Sequence, residues 1–530
     1  MSKSLIFLEH PEDGRILDSF LFPDGPTSEE KVIICLSFEA IELAERLGLK
    51  HAAPHQYIPS GRIEEEWTEA SFELTERLCG FLDREFEVDW SHAFFRYFKI
   101  LLDSCLQKQA HLLAILEKEK PDSVVYFSDR PEPPEDVFQT NTPFSEGESI
   151  YSILLPAILR RFRCESTAIP RPRKRPSLRD RLSLRLRPKL AAIRRLWSFE
   201  ELGPTSLTND KGPILALDDG YGLRLALETA SKTRRVLLWD RPNSLSIPSR
   251  NWVDKALEIF RGVRELGIWK RRFTAGWERV RAHGAWEGFW KTADLDARAL
   301  FEAKCGPVFT EAFPKLKVFE ERCRRLLPPL APGVVVTHSF TDPFIHVAVK
   351  AARRLGVPVA AYQHFAYGHY HWPMGRYVDE LLADHKFVGG RGVVEYLRLR
   401  ARDRFTPIPT GLISMDRLRG SLRPRTTPQS AGRRIVYAPS CDFKNNLYFS
   451  YYRRSCTEQF EIQRTILGAL GKARDAQVIV KCYSAPEMLP IWGALTRWVK
   501  TQGWAHVQVT RTGILADHLK NADIVILDGL

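Results

Sequence analysis

The chain has 530 residues, of which 44% are hydrophobic and 27% charged, and its formal net charge at pH 7 is +13. Length and composition predict a globular protein of two to four domains and exclude a fibrous or wholly disordered chain. Because no run of about 18 apolar residues occurs and the N-terminus lacks a secretory signal, we expect a cytoplasmic protein without a membrane-spanning helix.

Residues 1–168 alternate short strand patterns with helical ones and predict an N-terminal α/β domain of unknown role. The segments "SLIFLEH", "KVIICLSF" and "DSVVYFS" are rich in β-branched and aromatic residues and are bounded by polar turns, as buried strands are. The pattern "FFRYFKILLDSCLQKQAHLLAILEKEK" predicts a long amphipathic helix that ends at Pro121. A helix over "GESIYSILLPAILRRF" and a last strand at "ESTAIP" follow.

Residues 169–209 form a basic amphipathic linker. Eleven Lys or Arg residues and one acid, Asp180, lie between Arg171 and Arg195, so this segment carries +10 of the net charge. Its apolar residues recur at helical spacing and share one side of a predicted helix: Leu178, Leu182, Leu186, Leu190, Ile193 and Trp197. Pro188 predicts a kink in that helix.

Three interpretations of this linker remain open. An anionic membrane surface would attract a basic helix with a leucine stripe, and it would contact Arg173, Lys174, Arg175, Arg185, Arg187 and Trp197. Alternatively, the leucines pack on a neighbouring domain. Binding to nucleic acid is the third interpretation, but base-stacking aromatic residues are missing apart from Trp197 and Phe199, so we expect no nucleic-acid partner.

Residues 210–365 and 366–530 both show the strand–helix–strand alternation of doubly wound parallel sheets. The first of them opens on the strand "GPILALDDGYG", continues with "RRVLLWDRP", and contains two or three helices over about residues 251–330. In "GVVVTHSFTDPFIHVAVKAARRLGVPVAAYQHF", a strand precedes a helix that Asp342 caps and Gly356 ends. Strands of the second are predicted at "DHKFVGG", "FTPIPTGL", "RRIVYAPS", "AQVIVKCY", "AHVQVTR" and "DIVILDGL".

Ligands of such sheets bind at the carboxyl ends of the strands, so polar residues that directly follow an apolar run are the candidates. These are His338, Ser339, Gln363, His364, Gly411, Pro439, Ser440, Lys481, Asp528 and Gly529. Hydroxyls, glycine amides and a lysine suit a phosphate-bearing ligand, and a histidine can take a proton from a hydroxyl. Each residue also has an ordinary structural interpretation, as a hydrogen-bonded loop histidine, a helix cap or a solvated strand end.

The sequence contains neither a P-loop nor a GxGxxG fingerprint, and we expect no cofactor. His369 and His371 could pair on a metal, but no carboxylate at matching spacing supports such a site, so we expect no metal. The nine cysteines include no CxxC pair and are expected to be reduced thiols.

The order of "GVPVAAYQHF", "TGLISMDRL", "RRIVYAPS", "VIVKCY" and "ADIVILDG" resembles glycosyltransferases of the two-Rossmann-domain (GT-B) type. Among these it is most similar to CDP-glycerol glycerophosphotransferase-like and surface-polysaccharide biosynthesis proteins. The resemblance implies an α/β fold in which residues 210–365 are the GT-B N-terminal domain and residues 366–530 are the donor-binding domain. These two Rossmann-like domains would follow the additional N-terminal α/β domain.

The resemblance also implies roles for the strand-end residues. His364 would be the general base on the acceptor hydroxyl, and the donor phosphates would be bound by Gly411, Ser440, Lys481, Asp528 and Gly529. Leu530 directly follows the last predicted strand, where the family has further hydroxyls and a helix, so we expect either a truncated donor-binding domain or a degenerate donor site.

The sequence therefore predicts an enzyme, a metal-independent GT-B transferase of bacterial surface polysaccharide biosynthesis. Its donor would be a nucleotide-activated sugar or CDP-glycerol, and its acceptor a glycan or lipid-linked glycan at the inner face of the plasma membrane. Two alternatives remain open: a non-catalytic carbohydrate- or nucleotide-binding scaffold of the same fold, and a nucleotide-sugar 2-epimerase.

Overall fold

The structure is a computed structural model that describes most of the chain. The described residues are 2–14, 17, 30–140, 143–144, 148–171, 199–203, 212–220, 222–240, 242, 252–292, 297–363, 382–401, 405–411, 419–420, 432–440, 454–482 and 489–528. Helices alternate with mostly parallel strands along the whole length, and the strands form three sheets. The predicted α/β class, with an N-terminal α/β unit followed by two Rossmann-like units, is confirmed.

The first sheet is built from residues 3–170 and has five parallel strands. They are β1 (Lys3–Leu8), β2 (Glu30–Cys35), β3 (His51–Ala52), β4 (Ser123–Ser128) and β5 (Glu165–Pro170). Their spatial order is β3-β2-β1-β4-β5. The helices of this unit are α1 (Phe38–Arg46), α2 (Ser60–Phe86), α3 (Phe95–Glu119) and α4 (Ile150–Leu159). The long helix, the later helix and the last strand predicted for this block are all confirmed.

The central sheet has seven strands, in the order β12-β11-β10-β9-β7-β8-β6. They are β6 (Phe199–Leu202), β7 (Ile214–Ala216), β8 (Val236–Trp239), β9 (Val334–Thr337), β10 (Val359–Tyr362), β11 (His385–Val388) and β12 (Thr406–Pro409). Only β6 runs antiparallel to its neighbour among these described strands. Because β11 and β12 extend the sheet beyond residue 366, the sheet boundary lies between residues 409 and 433, and the predicted boundary at 365/366 is wrong.

Helices surround the central sheet and fill the long connection between β8 and β9. They are α5 (Leu223–Ala230), α6 (Trp252–Ala282), α7 (Gly284–Thr292), α8 (Arg298–Pro307), α9 (Phe313–Leu330), α10 (Pro343–Arg354) and α11 (Arg391–Ala401). Four of these helices, α6 to α9, lie where two or three were predicted. A π-helical turn at Val308–Ala312 continues α8 directly into α9. The Asp342 side chain accepts a hydrogen bond from the Phe344 N–H at 2.8 Å, which confirms the predicted cap of α10.

The C-terminal sheet has four parallel strands in the order β15-β14-β13-β16. They are β13 (Arg433–Ala438), β14 (Ala476–Lys481), β15 (Val507–Thr510) and β16 (Ile524–Leu527). Helices α12 (Cys456–Gly471), α13 (Leu489–Thr501) and α14 (Leu515–Leu519) connect them.

The predicted linker lies mostly outside the described residues. Its first residues end β5, and β6 pairs with β8 at the edge of the central sheet. The residues predicted to contact a membrane, Arg173, Lys174, Arg175, Arg185, Arg187 and Trp197, lie outside the described residues. None of the described helices combines the length and the apolar character that crossing a bilayer would require.

Alternate residues of the first sheet belong to two different hydrophobic cores. Leu5 and Phe7 of β1 pack into a core shared with α2 to α4, with the helices α6 to α9 and with one face of the central sheet. Ile6 and Leu8 point to the other face and share a core with α1 and the C-terminal sheet. The first unit is therefore joined to both of the others, since successive side chains of a strand point to opposite faces.

Polar contacts tie the loop after β3 to the start of α12. His55 hydrogen-bonds the Thr457 hydroxyl at 3.1 Å through Nδ1 and the Glu461 carboxylate at 2.9 Å through Nε2. The hydrogen bond from His55 lowers the pKa of Glu461, against the effect of burial. The loop after β3 and the start of α12 lie at the carboxyl ends of their respective sheets, so the carboxyl edges of the first and C-terminal sheets meet here.

The buried ring of His111, in the first unit, leads us to expect that the protein loses stability in mild acid. Its ring is fully buried, and burial lowers its pKa from 6.5 to about 3. The ring nitrogen Nδ1 hydrogen-bonds the Tyr151 hydroxyl at 2.7 Å, and Nε2 has no hydrogen-bond partner among the described residues. Between these two pKa values the unfolded chain binds a proton that the folded chain does not. The free energy of unfolding should therefore fall as the pH drops below 6.5, by up to about 1.4 kcal/mol per pH unit.

Denaturant unfolding measured between pH 6.5 and 5 tests this, because carboxylates titrate mainly below that window. His111→Gln should make the slope less steep by up to about 1.4 kcal/mol per pH unit, and the rest of it should remain because burial also lowers the pKa of His346. His385→Gln, at an exposed histidine, should leave the slope unchanged. Equal slopes in wild type and His111→Gln would show that the ring is protonated or accessible in the folded protein.

Candidate functional site

All three sheets share one topological feature that places polar residues together. In each sheet the first parallel strand (β1, β7 or β13) lies inside the sheet, the next strand pairs on one side of it, and a later strand pairs on the other side. The connections therefore leave the first strand in opposite directions, and a crevice opens between its carboxyl end and that of the later strand. The three crevices lie between β1 and β4, between β7 and β9, and between β13 and β16.

The central crevice holds an aspartate–histidine pair. Asp218 follows β7 and is 1% exposed, and His338 follows β9. His338 Nδ1 hydrogen-bonds Asp218 Oδ1, while the His338 backbone N–H donates to Oδ2 at 3.0 Å and the Thr337 hydroxyl donates to the same oxygen. Three donors from β9 and the residue after it thus fix one buried carboxylate.

This arrangement favours one tautomer of the neutral imidazole. An ionised carboxylate only accepts hydrogen bonds, so Asp218 holds the His338 proton on Nδ1, and Nε2 carries the lone pair. The His338 side chain is 16% exposed, so the ring is reachable from outside while its partner is not. A histidine oriented by a carboxylate in this way can accept a proton from a hydroxyl, and the carboxylate then stabilises the imidazolium that forms.

Small and polar residues surround the pair. A Cβ atom on Gly220 would lie only 3.2 Å from His338 Cε1, so a larger residue there would have to displace the ring slightly. Ser339 and Thr341 hydrogen-bond each other through their hydroxyls at 2.9 Å in the loop after β9. Gln363, at the end of β10, is buried, and its Oε1 accepts the Gly389 N–H at 2.7 Å.

The C-terminal crevice brings together two of the predicted donor-binding residues, Ser440 and Asp528. The Ser440 N–H and the Tyr437 hydroxyl both donate to the Asp528 carboxylate. The Gln459 amide donates to Ser440 Oγ at 2.6 Å and to Asp528 Oδ2 at 3.2 Å, and the Gln463 amide donates to Ser440 O at 3.2 Å. Burial, reinforced by the Asp528 charge, raises the pKa of Tyr437, which keeps its hydroxyl a donor.

These contacts make Asp528 a residue that positions the Ser440 loop. Its carboxylate can only accept hydrogen bonds and therefore offers nothing to a phosphate oxygen. The Ser440 hydroxyl accepts a hydrogen bond from the Gln459 amide. Its own proton therefore points away from that amide and can be donated to a ligand. Ser440 is thus the group in this crevice suited to an anionic ligand.

Lys481 ends β14, next to this crevice, and its side chain is directed to the backbone. Its ammonium donates to Cys482 O at 2.9 Å and to Arg511 O at 3.1 Å, and the residue is 7% exposed. Two of its three protons therefore satisfy carbonyl groups at the ends of β14 and β15.

The first crevice is filled by a buried hydrogen-bonded network. Glu9, which follows β1, accepts from the hydroxyls of Ser149 and Ser152 at the start of α4. The loop between β4 and α4 also reaches the central unit, where the Thr140 hydroxyl donates to Thr341 O at 3.1 Å. This loop therefore lies between the first crevice and the segment that carries His338.

The remaining predicted site residues lie outside the three crevices or outside the described residues. Gly411 follows β12 with φ +82°, and its N–H donates to Val388 O at 3.2 Å, so it belongs to the edge of the central sheet and not to the sheet of Ser440. His364 and Gly529 lie outside the described residues. In the described part of the chain, no group of three or more His, Cys, Asp or Glu side chains is arranged to hold a metal.

The Asp218–His338 pair was not predicted from the sequence. His338 was noted as a strand-end residue, and "LDDG" as the end of a strand, but nothing in the sequence joined them. The topology of a doubly wound sheet could have suggested the pair. The first parallel strand, β7, and the strand after the long helical insertion, β9, border a switch point, and Asp218 and His338 follow these two strands.

Comparison with known proteins gives weak similarity only. No protein-family model matches the chain, and no curated protein matches it. Among solved structures, the Staphylococcus aureus MnaA–UDP co-structure matches with a TM-score of 0.29 and 11% identity, covering 40% of this chain and 57% of that one. The UDP-GlcNAc 2-epimerase of Neisseria meningitidis, bound to UDP-GlcNAc, matches with a TM-score of 0.26 and 13% identity, covering 41% and 60%.

The UDP-GlcNAc 2-epimerase of Methanocaldococcus jannaschii gives a TM-score of 0.28 at 12% identity, covering 41% of this chain and 62% of that one. The chain thus spans less than two thirds of these structures. TM-scores at this level support no conclusion about activity.

Proposed function

We propose that the protein is a GT-B-like transferase that uses a nucleotide-activated donor. The observation that carries the proposal is the Asp218–His338 pair at the switch point of the central sheet. A partly exposed imidazole held by a buried carboxylate is suited to deprotonating an acceptor hydroxyl, and a switch-point crevice is where ligands of such sheets bind.

In the proposed reaction, His338 Nε2 accepts the proton of the acceptor hydroxyl as its oxygen attacks the donor. For a sugar donor, the new bond forms at the anomeric carbon while the carbon–oxygen bond to the nucleotide phosphate breaks. The nucleotide leaves with the bonding electron pair, and Asp218 stabilises the imidazolium during the step. For CDP-glycerol, the attack is at phosphorus and CMP leaves.

The C-terminal crevice is the proposed site of the donor phosphates. Its Ser440 hydroxyl is held by Gln459, and its loop by Asp528. Lys481 adds a positive charge at the neighbouring strand end, although two of its protons bond backbone oxygens. His364, predicted as the base, and Gly529 remain proposals from the sequence, as does an acceptor that is a surface glycan or its lipid-linked form.

Donor binding by Ser440 gives a direct test. Isothermal titration calorimetry with nucleotide-diphosphate sugars and CDP-glycerol should find at least one donor that binds the full chain. Ser440→Ala should weaken that binding by about 1.5–3 kcal/mol, or roughly ten- to a hundredfold in Kd, since a hydrogen bond to a charged group is lost. Thr233→Ala, at an exposed hydroxyl of the central unit, serves as the control.

The same donors separate the competing functions. Release of nucleotide that requires an added glycan acceptor supports the transferase. Inversion at C2 of the sugar without acceptor identifies an epimerase, and binding without any turnover identifies a scaffold. If no nucleotide-activated compound binds, the proposal is wrong.

A further inference from the structure

Helix α6 presents an apolar stripe to solvent. Five of its residues are between 42% and 76% exposed: Val253, Leu257, Phe260, Val263 and Ile268. At 3.6 residues per turn, residues 253, 257, 260 and 268 share one side of the helix, with Val263 at its margin. A run of large exposed apolar side chains on one element marks an interaction site more often than isolated ones do.

The opposite side of the same stretch packs tightly on α9. A Cβ on Gly262 would lie 2.7 Å from an Arg322 guanidinium nitrogen, which shows how closely the helices approach. Arg322 also donates to Glu258 O at 3.2 Å, and Arg325 donates to the Glu258 carboxylate at 2.9 Å. The helix is therefore held in place by one side, and its exposed stripe is a fixed feature of the surface.

The charges of this stretch are sorted in the same way. Residues 256–272 contain two acids, Glu258 and Glu265, and both pair with Arg325 on the inner side. The exposed positions carry five basic residues: Arg261, Arg264, Lys270, Arg271 and Arg272. Within the described residues, Arg264, Lys270 and Arg271 have no carboxylate within ion-pair distance. By helical spacing, Arg264 and Arg271 lie in line with the apolar stripe, with Lys270 on one flank and Arg261 and Arg272 on the other.

We propose that this outer face of α6 docks on an anionic lipid bilayer. A helix lying in the bilayer surface buries apolar side chains at the level of the acyl chains while flanking Lys and Arg bind anionic headgroups. Within residues 256–272 the face combines both groups and has both of its acids turned inward, so its charge is complementary to that of such a membrane. The proposal does not depend on the proposed reaction, and it concerns residues other than those of the linker that were predicted to contact a membrane.

Vesicle flotation with the full chain tests the proposal. Wild type should bind phosphatidylcholine vesicles that contain phosphatidylserine, and should bind pure phosphatidylcholine vesicles much more weakly. The variant Arg264→Gln/Lys270→Gln/Arg271→Gln should bind the anionic vesicles about 100-fold more weakly, at about fivefold per charge. Leu257→Ser/Phe260→Ser should weaken binding by about tenfold per residue.

Matched controls use exposed residues of the same kind elsewhere. Lys232→Gln/Lys472→Gln/Lys500→Gln removes three exposed charges, and Leu399→Ser removes a leucine that is 82% exposed. Both should bind vesicles like wild type, and thermal unfolding should show that all variants are folded.

Several outcomes would overturn the proposal. The proposal is wrong if the wild-type protein does not bind anionic vesicles. Full binding by both α6 variants would place the membrane contact elsewhere, for example in residues 172–198. If Leu257→Ser/Phe260→Ser binds vesicles normally but loses self-association in analytical ultracentrifugation, the face is a protein interface instead.

Discussion

His338→Gln is expected to lower donor turnover by about 100- to 10,000-fold, the range for loss of a general acid–base group. Donor affinity should stay unchanged, because the donor phosphates are assigned to the C-terminal crevice. Glutamine has no basic nitrogen, so it can fill the space beside Gly220 without accepting the acceptor proton. Steady-state turnover and calorimetric Kd, measured on the same preparations, separate the two effects.

Asp218→Asn tests the partner of the imidazole. Its amide oxygen can still accept from the Thr337 hydroxyl or the His338 N–H, but its NH₂ group opposes the proton on His338 Nδ1. The variant should therefore favour the other tautomer and lose activity while retaining its fold. His385→Gln, at the exposed start of β11, should change nothing.

A different pattern would reassign the base. If His364→Gln abolishes turnover and His338→Gln does not, the residue predicted from the sequence is the base, and the Asp218–His338 pair is structural. If neither substitution affects turnover, neither His338 nor His364 is the base.

Local sequence patterns were sufficient for the elements and the fold class. The strands of the second half are short apolar runs followed by polar or small residues, and helices of standard length separate them, so alternation alone indicated doubly wound sheets. The cap at Asp342 and the helix end at Gly356 were also local, and both are confirmed: Gly356 has φ +75°, a conformation that glycine adopts without strain.

The order of strands within a sheet cannot be read from local sequence. This explains both the misplaced boundary at residues 365/366 and the failure to predict the Asp218–His338 pair. Residues 366–411 continue the alternation without interruption, so nothing in the pattern showed that β11 and β12 pair into the preceding sheet. Asp218 and His338 are 120 residues apart, and they meet only because β7 and β9 are neighbours. Ser440 and Asp528, by contrast, were both noted from the sequence, because Ser440 lies two residues after β13 and Asp528 directly after β16.

The contact between the first and C-terminal units was hidden for the same reason. Ile6 and Leu8 look like ordinary strand residues, and which unit covers each face depends on tertiary packing. His55 carries no motif, although its contacts with Thr457 and Glu461 join segments about 400 residues apart. The resemblance paired the two later units, whereas the described residues show the first unit sharing a core with the C-terminal one.

The largest expected loss of stability comes from breaking the ion pair between Lys304 and Glu148. Both side chains are fully buried: Lys304 lies on α8, and Glu148 directly precedes the cap of α4. Burial lowers the pKa of Lys304, and the Glu148 carboxylate opposes that effect. Lys304→Met leaves Glu148 charged and without this partner in the core, so the free energy of unfolding should fall by about 3–5 kcal/mol.

The double variant Lys304→Met/Glu148→Gln shows whether the uncompensated charge is the cause. The glutamine amide oxygen would still accept the Glu132 N–H that Glu148 accepts at 3.0 Å, and neither side chain would be ionised. Urea unfolding should therefore find the double variant more stable than Lys304→Met alone, because replacing both ions removes the cost of a buried, unpaired charge. Arg298→Met breaks the exposed pair with Glu302 on the same helix and should leave the unfolding midpoint unchanged. If the double variant unfolds as readily as the single one, the loss arises from packing around Lys304 and not from its charge, and the ion pair does not determine how α8 docks on the first unit.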